Sequence, residues 1–315
     1  MQTLVDHVGC NGTDLHSDKT IECLREHDTQ TLLDSAIATK LDGIDHNIGD
    51  IWLPVVDGYF LPAAPSELIR EGRFAKVPTM MGWTDDDLNI FIDLNITTAK
   101  DTYDLISAYI PDVTSENIDA LLALYPVSDF SWRENEVASA QFFRSGRIIR
   151  DIIMVCEPIW YAEHLVRYGN KDTYLFDWNQ TVLEPLLEKS TGAPGLGPVH
   201  TAEFAYVFAN ISAYNIPDFP FEPAEDDFAL AKRGSRSWST FANTGKPTLR
   251  GHDTFEGFGP AFKDKRGIYV FVAGGPDEGL SAIHGRDSTS ALETQKLKER
   301  CGFINSPGMI EQLGF

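Results

Sequence analysis

The stretch Gly197-Pro198-Val199-His200-Thr201-Ala202-Glu203-Phe204-Ala205-Tyr206-Val207-Phe208-Ala209-Asn210 decides how the rest of this chain is read. His200 stands at the end of a loop rich in Gly and Pro, residues 191–199, and a short aromatic segment follows it. An imidazole on a loop tip, just ahead of an anchored apolar segment, can meet solvent while its neighbours hold it in place. That position suits a general base. Glu203, three residues on, falls near the same face of a helical turn. The same pattern also fits an ordinary histidine at a helix start, so the surrounding chain has to decide.

Working outward, residues 173–178 (Thr-Tyr-Leu-Phe-Asp-Trp) are β-prone through their aromatic content. Residues 228–243 form a helical pattern closed by Thr244-Gly245-Lys246-Pro247, a Gly-then-Pro stop. Upstream, residues 77–82 make a brief apolar strand that runs straight into Asp85, Asp86 and Asp87. Strand ends that deliver carboxylates into a loop are where α/β sheets carry their sites. Residues 100–168 read as helical throughout, with Ser115 as a cap and Pro158 as a break in the long run 142–166. Residues 267–273 form a third strand and residues 292–300 a charged helix. The first fifty residues hold short polar helices at 20–25 and 29–39. An extended run follows at 52–61 with an Asp57-Gly58 turn, then a helix at 67–74. Strands separated by helices give an α/β class. Three strands are too few for a complete doubly wound sheet, so the chain reads as part of one. No repeat or linker divides residues 1–315.

The chain has 315 residues, 43% of them apolar, and carries 47 acidic against 26 basic residues, a net charge of −21. No basic run exists, which excludes a phosphate-binding surface and disfavours nucleic acid or acidic membranes as partners. No run of eighteen apolar residues is present, so no membrane span is expected. The first ten residues lack the basic start and apolar run of a signal peptide. Other features point outside the cell. The four cysteines, Cys10, Cys23, Cys156 and Cys301, are even in number and allow three pairings. Sequons stand at Asn11, Asn95, Asn179 and Asn210. His7, His16 and His27 with Asp6 and Asp14 are metal ligands by type, but their spacing matches no metal motif, and no metal or cofactor is expected.

The ordered set of segments resembles the carboxylesterase type B family of α/β-hydrolases, which includes cholinesterases and fungal lipases. The residues that carry the resemblance are Gly82-Trp83-Thr84-Asp85-Asp86-Asp87 with Phe91, then the 173–178 strand, then Gly197, His200, Glu203 and Val207-Phe208. Gly9-Cys10 with Glu22-Cys23-Leu24-Arg25, Pro54-Val55-Val56-Asp57-Gly58 and the stretch 238–247 add to it, so that matches cover nearly the whole chain. The resemblance implies an α/β-hydrolase fold and hydrolysis of a small-molecule or lipid ester through an acyl-serine. It implies the triad histidine at His200, the triad acid at Asp87, and support from Glu203. It also implies the pairings Cys10–Cys23 and Cys156–Cys301.

Two departures stand out. Leu88 occupies the place after the acid where the family usually has glycine. No Gly-x-Ser-x-Gly occurs anywhere, and the sole Gly-Gly pair, Gly274-Gly275, comes after His200. The expectation is therefore a match to the carboxyl-terminal half to two-thirds of a secreted type B esterase. Nucleophile, oxyanion loop and signal peptide would lie upstream, in an amino-terminal half that would be a partner. The alternative is a non-catalytic, cholinesterase-like adhesion module, which the identity of the upstream serine would distinguish.

Overall fold

The computed structural model describes residues 2–12, 14–42, 52, 54–263 and 267–314. From the amino end the described helices begin with α1 (Gln2–His7), α2 (Asp18–Glu26), α3 (Thr29–Asp42) and α4 (Pro65–Arg70). Strand β1 (Thr79–Thr84) precedes α5 (Ala99–Tyr109), α6 (Ser115–Leu124), α7 (Ala140–Arg150) and α8 (Cys156–Arg167). Strand β2 (Thr173–Trp178) leads to α9 (Glu184–Thr191), α10 (Phe204–Val207) and α11 (Glu225–Thr244). Strands β3 (Tyr269–Ala273) and β4 (Gly279–Ala282) then precede α12 (Ser290–Glu293), α13 (Leu297–Ile304) and α14 (Pro307–Leu313). The chain divides into two compact units, residues 1–62 with 106–111, and residues 63–105 with 112–315.

In the first unit α2 starts where Ser17 Oγ accepts from the Thr20 amide, satisfying one of the orphan donors of a helix start. Asp28 does the same for Thr31 ahead of α3. A Cys10–Cys23 disulfide joins the loop after α1 to α2. The run at 52–61 forms no regular element among its described residues, and Ile51 and Leu53 lie outside them. Its turn is closed by Asp57 Oδ1, which accepts from the amides of Tyr59 and Leu61 at 2.9 Å each.

The second unit is built on a four-stranded sheet in the order β1-β2-β3-β4. The first three strands are parallel and β4 is antiparallel. Every residue of β3 is buried, as befits a parallel strand covered on both faces. Strand β2 alternates in kind. Tyr174, Phe176 and Trp178 meet Phe241 and Trp238 of α11, with Phe176 and Trp238 rings 4.9 Å apart. Asp177 points the other way, because successive strand side chains take opposite faces. Phe255 and Phe258 close the aromatic layer against Phe271, the second stacked at 4.5 Å.

Several local expectations change. The cap of α6 is Thr114, whose hydroxyl accepts from the Asn117 amide, and Ser115 is the first helical residue. The long helix is interrupted ahead of Pro158, by a π-helical turn at Asp151–Val155 between α7 and α8. Proline cannot donate to the carbonyl four residues back, here Met154, and the wider turn absorbs that mismatch. The helix expected at 292–300 is split into α12 and α13 around Lys296 at φ +49°. Gln295 at the break is fully buried, and its amide serves the charged cluster described below. The fourth strand was not expected, since Gly279-Leu280-Ser281-Ala282 is short and carries no strong β signal. Gly245 at φ +74° ends α11 with its amide on the Phe241 carbonyl at 2.7 Å, as the Gly-Lys-Pro stop requires. Disulfide Cys156–Cys301 ties α8 to α13.

Candidate active site

Strand β1 ends in Thr84, and the next three residues turn back on it. Asp87 Oδ2 accepts from the Thr84 amide at 2.9 Å and the Asp87 amide bonds the Thr84 carbonyl. This small turn aims the other carboxylate oxygen at the His200 loop. His200 Nδ1 donates to Asp87 Oδ1 at 2.6 Å. Two backbone bonds register the loop on the turn, His200 N to Asp87 O at 2.9 Å and Asp86 N to Pro198 O at 3.0 Å. Asn89 Nδ2 adds a third clip, to the Leu196 carbonyl at 2.9 Å. Gly197 is required at this crossing. It sits at φ +76°, and a Cβ there would lie 1.9 Å from Asp86 Oδ2.

Asp87 is 3% exposed, whereas the His200 side chain is 42% exposed. Since Nδ1 carries the hydrogen given to Asp87, Nε2 is the ring atom left for chemistry. It makes no hydrogen bond among the described residues. The hydrogen bond to Asp87 holds the imidazole's pKa above its ordinary value against the opposing effect of burial, and the charges of Asp87 and Glu203 add to it. The Phe91 ring stands edge-on to the imidazole at 6.0 Å. Phe91, Phe204 and Phe208 are all exposed around this loop region. Leu88, in place of a glycine, adopts φ −96° and is 5% exposed. This turn therefore uses no positive φ, and a large apolar side chain fits it.

Glu203 touches neither partner by hydrogen bond. Its Oε2 is buried and without a partner. Burial first, and the Asp87 charge next, raise its pKa. Its link to His200 is through charge alone.

The three consecutive aspartates have three different destinations. Asp86 pairs with Arg133. Asp85 lies among Arg147, Arg150 and Gln295, whose Nε2 donates both to Asp85 Oδ1 at 2.6 Å and to Asp177 Oδ2 at 2.7 Å. Arg150 donates to Gln295 Oε1 at 2.8 Å and pairs with Asp151 at 2.7 Å. Burial opposes ionisation of Asp85, but Arg147, Arg150 and Arg133 hold its carboxyl below the ordinary range. Asp177 has no such surplus. Burial and the Asp85 charge push it up to about 7. A solvated acidic turn is thus ruled out for this segment, because Asp86 and Asp87 are buried and all three are bonded. The sequence signal for the cluster is the spacing of Arg147 and Arg150 along an apolar helix, which sets two guanidinium groups on neighbouring positions of one face, while Arg144 donates instead to the Tyr125 and Leu122 carbonyls.

The candidate metal ligands of the first unit do not assemble. His7 pairs with Asp42 at 2.9 Å, and the His16 amide bonds Asp14 at 3.0 Å. His27 lies 3.6 Å from Cys10 Sγ, whose sulfur is bound in the disulfide. Of the sequons, Asn11, Asn95 and Asn210 are exposed, while Asn179 is half-buried at the end of β2. No helix of the described residues is long and apolar enough to cross a membrane.

A model of the carboxylesterase family matches residues 1–270. This chain belongs to the carboxylesterase family. A secreted lipase of Arthroderma benhamiae is 49% identical over 316 residues, all of this chain and 54% of the relative. An inactive carboxylesterase-like protein, VdtD, of Byssochlamys spectabilis is 30% identical over 306 residues, 92% of this chain and 50% of the relative. The chain spans about half the length of these curated relatives. The crystal structure of Aspergillus niger EstA superposes with a TM-score of 0.68 at 18% identity, covering 100% of this chain and 55% of that one. The fold is accordingly α/β-hydrolase-like, a mostly parallel sheet flanked by helices, matched over part of the esterase structure.

Proposed function

We propose that this chain supplies the acid and the histidine of a serine carboxylic-ester hydrolase. The observation that carries the reading is the 2.6 Å contact from His200 Nδ1 to a buried Asp87 carboxylate. In such a pair the carboxylate fixes the tautomer and stabilises the imidazolium. His200 Nε2 would take the proton of a hydroxyl nucleophile and return it to the leaving alcohol. Glu203 would favour the charged imidazole through its own charge. The sequence holds no Gly-x-Ser-x-Gly, so on this reading a nucleophile and oxyanion donors would have to be brought to His200 by other residues. The substrate class is a small-molecule or lipid ester, in keeping with the lipase among its relatives. The two disulfides and the three exposed sequons support secretion and glycosylation at Asn11, Asn95 and Asn210.

A second reading, a non-catalytic member, is favoured by the relative described as inactive. On the catalytic reading the chain alone lacks both nucleophile and oxyanion hole, and loss of the nucleophile alone costs about 10⁶ in turnover. Hydrolysis of a nitrophenyl butyrate ester by the purified chain, alongside fluorophosphonate labelling, tests this. The expected result is no turnover that depends on His200 and no labelled serine. Turnover abolished by His200→Ala, with a labelled serine inside residues 1–315, would overturn it.

A further inference from the structure

A cavity lies in the larger unit, on the α8 and α13 side of the disulfide and apart from the residues that hold His200. Its volume is about 590 Å3, within the 300–1,000 Å3 typical of small-molecule sites. The wall is apolar: Ile159, Trp160, Ile283 and Leu297 line it, each at most 7% exposed. The rim carries two cations, Arg167 and Lys298, exposed at its edge beside the exposed His284. Neither Arg167 nor Lys298 makes an ion pair or side-chain hydrogen bond among the described residues, whereas Arg133, Arg147, Arg150 and Arg300 are all paired. Among the described residues Glu163 is the one acidic member of the lining. In a chain of net charge −21, a cavity bordered by more cations than anions runs against the overall balance.

Burial raises the Glu163 pKa, with the charges of His164 and Arg167 opposing. His164 is committed elsewhere at one ring nitrogen, donating from Nδ1 to the Trp160 carbonyl at 2.9 Å, with its ring 4.1 Å from the indole. That contact fixes the orientation of the aromatic wall.

We propose that this cavity binds a single-chain carboxylate amphiphile, with its apolar body against Trp160, Ile159, Ile283 and Leu297 and its head group between Arg167 and Lys298. Apolar burial supplies the affinity and the two cations, unpaired among the described residues, select for charge. The site stands independently of the ester-hydrolase reading, since none of its residues takes part in the His200–Asp87 pair.

The probe is decanoate, below its micellar concentration, titrated into the full chain by calorimetry, with decanol as the uncharged control. Decanoate should bind at one site, at least tenfold tighter than decanol. The double variant Arg167→Ala/Lys298→Ala changes only exposed side chains and should weaken decanoate at least tenfold while leaving decanol unchanged. His200→Ala should leave decanoate binding as it is. Equal affinity for the two probes, an unaltered affinity in the double variant, or loss of binding in His200→Ala would each overturn the proposal, as would no binding at all.

Discussion

Replacing Asp177 by asparagine should remove a pH-dependent cost built into the sheet. Asp177 is fully buried on β2, with Oδ1 unpartnered and Oδ2 sharing the Gln295 amide with Asp85. Burial and the Asp85 charge lift its pKa from an ordinary 3.8 to about 7. Between those values the folded chain keeps a proton that the unfolded chain has released, so stability falls as pH rises through that window. About three pH units at 1.36 kcal/mol each give a loss of about 4 kcal/mol, complete above pH 7. Asp85 is shifted the other way, and its stabilisation is lost only as pH drops below the ordinary carboxylate range. The raised pKa of His200 gives stability that is present below 6.5 and fades as pH rises through its folded value. That contribution is common to both proteins and cancels in their difference. Urea denaturation from pH 4.5 to 8 should show Asp177→Asn gaining on the parent progressively, by about 3 kcal/mol or more between the two ends. Parallel curves for the two proteins would refute the assignment of a proton to this buried carboxyl.

Gly197→Ala puts a methyl 1.9 Å from a carboxylate oxygen held by Arg133 and forces a non-glycine residue to φ +76°. It should cost about 1–3 kcal/mol in thermal or urea melts and displace the His200 loop. Leu88→Gly, which brings in the residue usual in the family, should destabilise by about 2–4 kcal/mol, because the turn gains nothing from glycine and a buried side chain is lost. Cys156→Ser with Cys301→Ser opens a link across 145 residues and should cost about 2–5 kcal/mol, seen as a lower denaturation midpoint.

What could be read in advance divides along the reach of each signal. The stop at Gly245 and the aromatic strand β2 are set by neighbouring residues and form where the sequence placed them, while β1, expected at 77–82, forms two residues later at Thr79–Thr84 and still runs into the aspartates. The helix break expected at Pro158 lies upstream, in the π-helical turn Asp151–Val155, because proline marks where a helix is stressed while the turn that relieves the stress precedes it. Strand β4 exists because β3 offers an antiparallel partner, which four residues with Gly279 among them cannot announce. The break at Gln295 follows from tertiary demand, since its amide joins Asp85 and Asp177 from positions 210 and 118 residues away. For the same reason the spacing of Arg147 and Arg150 is legible as a pattern, but their partner Asp85, 62 and 65 positions away, is not. His200, Asp87 and Gly197 belong to the family pattern, while the clip of Asn89 onto the Leu196 carbonyl and the reason Gly197 must lack a side chain follow only from the fold.

The proposed chemistry rests on Asp87 and His200 acting as one acid–base unit. The measurement that bears on this most directly is an NMR titration of the His200 Cε1 proton, assigned by its absence in His200→Ala, in the parent chain and in Asp87→Asn. The hydrogen bond from Nδ1 to Asp87 predicts a midpoint above 6.5 in the parent, falling when the carboxylate charge is removed. A midpoint at or below 6.5 that does not move in Asp87→Asn would contradict it.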